Sequence, residues 1–108
     1  MIRVVFITIP ARKAEPFARR LLEERLVACA NLVRRVRSLY WWKGKLETAG
    51  ETLLILKCPA RNVRRLMRRA RELHPYEVPE IVVLPVCAAY RRYADWVARE
   101  ARPAGRGP

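Results

Sequence analysis

A chain of 108 residues, 52% hydrophobic and 31% charged, is long enough for one packed core and too short for two. Its 23 Lys and Arg against 10 Asp and Glu leave a formal charge of +13, yet the hydrophobic content excludes a disordered polyelectrolyte. No apolar run approaches the roughly 20 residues that a membrane span needs, and Met1-Ile2-Arg3-Val4 lacks a secretory signal, so a cytosolic globular protein is expected.

Val4-Val5-Phe6-Ile7-Thr8-Ile9 is rich in β-branched residues and closed by Pro10, which predicts a buried strand. Ala14, Phe17, Ala18, Leu21 and Leu22 then recur at helical spacing. A second strand begins in Val27-Ala28-Cys29-Ala30-Asn31-Leu32 and continues through Val36 to Trp42. Lys43-Gly44-Lys45 predicts a turn, with Gly44 free to take a positive φ. The third strand is clearest at Thr52-Leu53-Leu54-Ile55-Leu56-Lys57. Beyond Pro59, Val63, Leu66, Met67, Ala70 and Leu73 mark a second helix whose outer face is arginine-rich from Arg61 to Arg71. Ile81-Val82-Val83-Leu84-Pro85-Val86 predicts a fourth strand, and Tyr90, Tyr93, Ala94 and Val97 a last short helix stopped by Pro103.

The order β-α-β-β-α-β with a terminal helix predicts an α+β, ferredoxin-like sandwich over residues 1–102, with 103–108 as a flexible tail. Two amphipathic helices cover one sheet face. The strands, however, are apolar almost throughout, which implies burial on both faces. Association through the bare face is the expected solution, and a lone protomer is not. The cysteines, Cys29, Cys58 and Cys87, are odd in number and widely spaced, which argues against disulfides and structural zinc. Cys29 and Cys87 lie in apolar runs and are expected to be buried and inert.

Two stretches concentrate chemistry. His74-Pro75-Tyr76-Glu77-Val78-Pro79-Glu80 places the single histidine, a phenol and two carboxylates on a connector that its prolines hold extended. It reads either as a helix stop or as a site, and His74 with Glu77 and Glu80 makes an incomplete ligand set for a divalent ion. In Tyr40-Trp41-Trp42, successive rings point to opposite sheet faces. Tyr40 and Trp41 are therefore expected in the core and at a subunit contact, with base stacking beside Lys43 and Lys45 as the rival reading. The chain has no Gly-rich phosphate loop, no nucleophile elbow and no complete catalytic constellation, so an enzyme is not expected.

Taken together, Val27-Ala28-Cys29-Ala30-Asn31, Ser38-Leu39-Tyr40-Trp41-Trp42-Lys43-Gly44-Lys45-Leu46-Glu47, Leu54-Ile55-Leu56-Lys57, the run from His74 to Glu80, Leu84-Pro85-Val86 and Tyr93-Ala94-Asp95-Trp96 resemble the CutA divalent-cation-tolerance proteins. Order and spacing hold from residue 2 to about 100. The resemblance implies a PII-like homotrimer that takes part in divalent metal tolerance, binds metal or a small ligand at an inter-subunit cleft, and carries no organic cofactor. His74 matches a metal-ligand position and Glu80 a carboxylate near it, a pair that would hold copper(II) or zinc(II) weakly, while Tyr76, Glu77, Trp42 and Lys57 fall in motifs expected near the cleft. Ile7 stands where copper-binding members have cysteine, and Leu73 where some have a second histidine, which disfavours soft copper(I). Arg34-Arg35 replaces a Pro-Gly bulge common in the family, and Ala11-Arg12-Lys13 an acidic stretch, which makes an anionic ligand more plausible than in a typical member. The rival reading is a nucleic-acid-binding module that uses the basic helix face.

Overall fold

The computed structural model describes residues 1–104; of the tail expected at 103–108, residues 105–108 lie outside them. The elements are β1 (Ile2–Pro10), α1 (Ala11–Glu23), β2 (Cys29–Trp42), β3 (Lys45–Pro59), α2 (Val63–Leu73), β4 (Ile81–Pro85) and α3 (Arg91–Glu100), with a 3₁₀ turn at Ala60–Asn62. One antiparallel sheet has the order β2-β3-β1-β4. This is the ferredoxin-like topology expected from the element order.

The two periodicities of the sequence meet in one core. Val5, Ile7 and Ile9 of β1 and Leu54, Leu56 and Cys58 of β3 point to the helical side. There they pack on Ala14, Phe17, Ala18 and Leu21 of α1 and Leu66 and Ala70 of α2. α1 ends because Arg25 turns left-handed (φ 60): its N–H donates to Leu22 O and that of Leu26 to Leu21 O. The reversal puts Leu26 and Val27 into the same core.

The opposite sheet face is not wholly bare. α3 lies against it and brings Tyr93 to Cys29. The expectation of two helices on one face and nothing on the other is corrected to that extent. Cys87 is also corrected: it is exposed, because β4 ends at Pro85 and the chain bends away from the sheet before α3. Cys58 is the buried thiol, pushed up to about 11 by burial.

β2 and β3 are much longer than their neighbours. β1 pairs with β3 only over Glu51–Pro59, so from Val36 to Gly50 the two long strands hold only each other. They project beyond the sheet as a two-stranded ribbon, closed by Lys43 (φ 50) and Gly44 (φ 78) in the paired left-handed geometry of a two-residue hairpin. A register shift between Val33 and Val36 bends β2 where the ribbon leaves the sheet, and Arg35 takes φ 62 there.

Candidate functional site

The connector after α2 is built around His74. Pro75 forbids a further helical turn, and His74 adopts extended dihedrals as the helix cap. The imidazole is 7% exposed and meets the edge of Phe17 at 5.7 Å between centroids. Its Nδ1 accepts the Tyr76 backbone N–H at 3.1 Å, so the proton resides on Nε2, which donates to Thr8 O at 2.8 Å. Burial pushes the imidazole below its ordinary value, against the Thr8 carbonyl and the Glu51 charge, which pull it up. His74 is thus a neutral clip that fastens the connector to the end of β1.

Tyr76 continues the cluster. Its ring lies 4.9 Å from that of His74, and its hydroxyl donates to Glu51 Oε2 at 2.8 Å. Burial, then the Glu51 carboxylate, pushes this phenol up to about 12, so it remains a donor at neutral pH. Glu51 is only 4% exposed, an unusual position for a carboxylate. Sequence reasoning missed it. The available signal was a glutamate heading an apolar strand, at the point where the ribbon leaves the sheet.

Glu80 lies at the far end of the connector, exposed, with Oε1 3.4 Å from the Thr8 hydroxyl. Thr8 therefore joins the two residues expected as metal ligands: His74 holds its carbonyl and Glu80 faces its side chain. Glu77 is exposed between them. Beside the cluster, a hollow of about 330 Å³ opens between Phe17, Leu73 and Pro75, rimmed by Arg12, Lys13 and Arg20.

The remaining expected cleft residues lie elsewhere in the chain. Trp42 is at the ribbon tip, with Lys43 Nζ 5.8 Å from its ring centre. Glu51 pairs with Val36, so Trp42 lies six positions along β2 from the cluster, about 20 Å by strand rise. Lys57 lies six positions along β3 in the other direction. Its Nζ donates to Asn31 Oδ1 and stands 3.9 Å from Cys29 Sγ. Tyr40 and Trp41 sit on the exposed ribbon. One protomer gathers His74, Tyr76 and Glu80 around Thr8 and Glu51, and leaves Trp42 and Lys57 apart.

A divalent ion does not fit this arrangement as one protomer presents it. Both imidazole nitrogens are engaged by backbone groups. Among the described residues, no three His, Cys, Asp or Glu side chains converge as a metal site.

Comparison with known proteins accounts for the pattern. A family model described as CutA1 divalent ion tolerance protein matches residues 3–100. The divalent-cation tolerance protein CutA of Thermus thermophilus is 43% identical over 98 residues, 90% of this chain and 95% of its own. The human protein CutA is 40% identical over 97 residues, 89% of this chain but 54% of its own, so this chain spans about half of that relative. The PII-like protein CutA from Nostoc sp. PCC 7120, solved in apo form, has a TM-score of 0.90 at 39% identity, with 94% of this chain and 99% of that one covered. The chain belongs to the CutA1 divalent ion tolerance family.

Proposed function

We propose that this protein serves divalent-cation tolerance in the cytosol as a homotrimer that binds a divalent cation or small ligand at a cleft between subunits. The observation that carries this reading is the hydrogen bond from the partly exposed Tyr76 to the buried Glu51, at the root of an exposed apolar ribbon. A buried carboxylate beside an exposed polar connector is a place where a binding group is held ready. The ribbon next to it exposes Leu39, Trp41 and Leu46, which calls for a covering subunit. In the trimer, the ribbon would carry Tyr40, Trp41 and Trp42 to a neighbour.

The role of each residue follows from its geometry. Glu77 and Glu80 are the exposed carboxylates that would face a cation, completed by donors from a second protomer, since oxygen ligands from one connector are too few. His74 positions Thr8 and Tyr76. For it to coordinate copper or zinc, one of its backbone hydrogen bonds would have to open.

Calorimetric titration of the metal-free oligomer with Cu(II) and Zn(II) tests the assignment. Binding should weaken in Glu77→Gln/Glu80→Gln. It should survive in His74→Gln once circular dichroism shows that variant folded. Heat lost in His74→Gln and unchanged in the glutamine pair would move the cation to the imidazole and overturn this division of roles.

A further inference from the structure

Several arginines on and beside α1 and at the far edge of α2 are neutralised. Arg19 meets Glu15, Arg20 and Arg69 converge on Glu24, Arg69 also reaches Glu72, and Arg25 bridges to Glu100. Along the other edge of α2 and the 3₁₀ turn before it, Arg61, Arg64, Arg65 and Arg68 follow i, i+3, i+4, i+7 spacing, and none forms an ion pair among the described residues.

These four arginines line a groove of about 500 Å³, with Arg102 and Pro103 among the lining residues. The wall is anchored. The buried Asn62 side chain donates to Leu26 O at 3.0 Å and Ala101 O at 2.9 Å, and Arg61 Nη2 donates to Ala98 O at 2.6 Å. These bonds fix the end of α3, and hence Arg102, against the start of α2. The groove lies at the end of β3 away from the ribbon tip, because Arg61 follows Pro59, which pairs with Ile2. It is separate from the Glu51–Tyr76 cluster and from the ribbon.

We propose that this groove is a binding site for a short, phosphate-dense anion of the polyphosphate type. Five guanidinium groups around one hollow repel each other unless an anion is shared between them, and the guanidinium fork matches phosphate oxygens. Among the described residues no aromatic side chain lines the groove, so it offers no platform for stacking a base. Its volume suits a compact chain of a few phosphates, and the ligand is read through phosphate alone.

Titration of the full chain with tripolyphosphate, ATP, orthophosphate and a single-stranded RNA tests the site. Tripolyphosphate should bind, and ATP should bind within a few-fold of it. Orthophosphate should bind much more weakly, and affinity should fall as salt rises. Arg64→Ala/Arg68→Ala should lower tripolyphosphate affinity by about tenfold or more for each arginine removed. Arg19→Ala, at a paired surface arginine, should change it little. Tripolyphosphate should also protect Arg64 and Arg68 from phenylglyoxal in the unmutated protein, a readout independent of how the variants fold. Failure of tripolyphosphate to bind, equal binding by the double variant without protection, or orthophosphate binding as tightly as tripolyphosphate would overturn the proposal. RNA binding that depends on Arg64 and Arg68 while tripolyphosphate does not compete would do so too, and would identify a nucleic-acid surface instead.

Discussion

The connector from His74 to Glu80 meets the root of the ribbon from Val36 to Gly50 through Tyr76 and Glu51, and the two are finished to different degrees. In the connector, the reactive-looking groups are satisfied internally: the imidazole by two backbone groups and the phenol by Glu51. In the ribbon, the backbone is paired but the side chains are not, with Trp41 73% and Leu46 62% exposed. A two-stranded ribbon is marginal alone in water, and one with this apolar surface is an element awaiting a partner. The comparison shows that the histidine, which draws attention in the sequence, closes a local structure, while the plain apolar strands carry the demand for assembly.

The first way to break that comparison is His74→Ala. It removes two hydrogen bonds and a buried ring, and stranding Thr8 O and the Tyr76 N–H should cost about 2–4 kcal/mol in denaturant unfolding. A loss below about 1 kcal/mol would show that the connector is not fastened by this ring. The imidazole also sets a pH dependence. Its folded pKa lies below the ordinary 6.5, so the unfolded chain takes up the proton more readily. Stability should therefore hold above about pH 6.5 and decline as the pH falls below it, until the folded site also titrates. Absence of that decline in the difference between the unmutated protein and His74→Gln would contradict the neutral, doubly bonded ring.

Tyr76→Phe is a smaller perturbation at the boundary between the two regions. It keeps the ring and withdraws the donor from a 4% exposed carboxylate, which should cost about 1–3 kcal/mol in the same unfolding assay. The smallest effect should be a gain. Arg35 holds φ 62 at the ribbon bend, a region unfavourable to a side chain, so Arg35→Gly should stabilise by about 1 kcal/mol. A destabilised Arg35→Gly would mean that the arginine side chain contributes more there than the strained backbone costs.

Most of this architecture was legible in the sequence because two periodicities do not overlap. The i, i+3, i+4 pattern through Phe17 and Leu21 marks the buried stripe of α1, and the β-branched run Val4 to Ile9 marks β1. The Lys43-Gly44 turn was legible for a similar reason, since few dipeptides accept two positive φ values. Three features were not. Glu51 heads an apolar strand, but its partner Tyr76 lies 25 residues away, and no local pattern encodes that pairing. The length of β3 was hidden because Leu46-Glu47-Thr48-Ala49-Gly50 shows no apolar alternation, and only its pairing with β2 makes it a strand. The exposure of Cys87 follows from where β4 stops, which an apolar run running on past Pro85 disguises. At the candidate site, His74, Tyr76 and Glu80 were placed together by chain proximity. Trp42 and Lys57 were grouped with them by motif alone, and strand rise separates them within a protomer.

The central claim, that the ribbon is completed by other copies of the chain, is tested by sedimentation equilibrium on the unmutated protein and on Trp41→Glu/Leu46→Glu. Trp41 and Leu46 are paired across the ribbon and exposed in the protomer, so the double variant should still fold. The account predicts about three times the 12.6 kDa chain mass for the unmutated protein, and a shift toward the single-chain mass when the pair is charged. An unmutated protein at 12.6 kDa, or a double variant that keeps the full assembly, would contradict it.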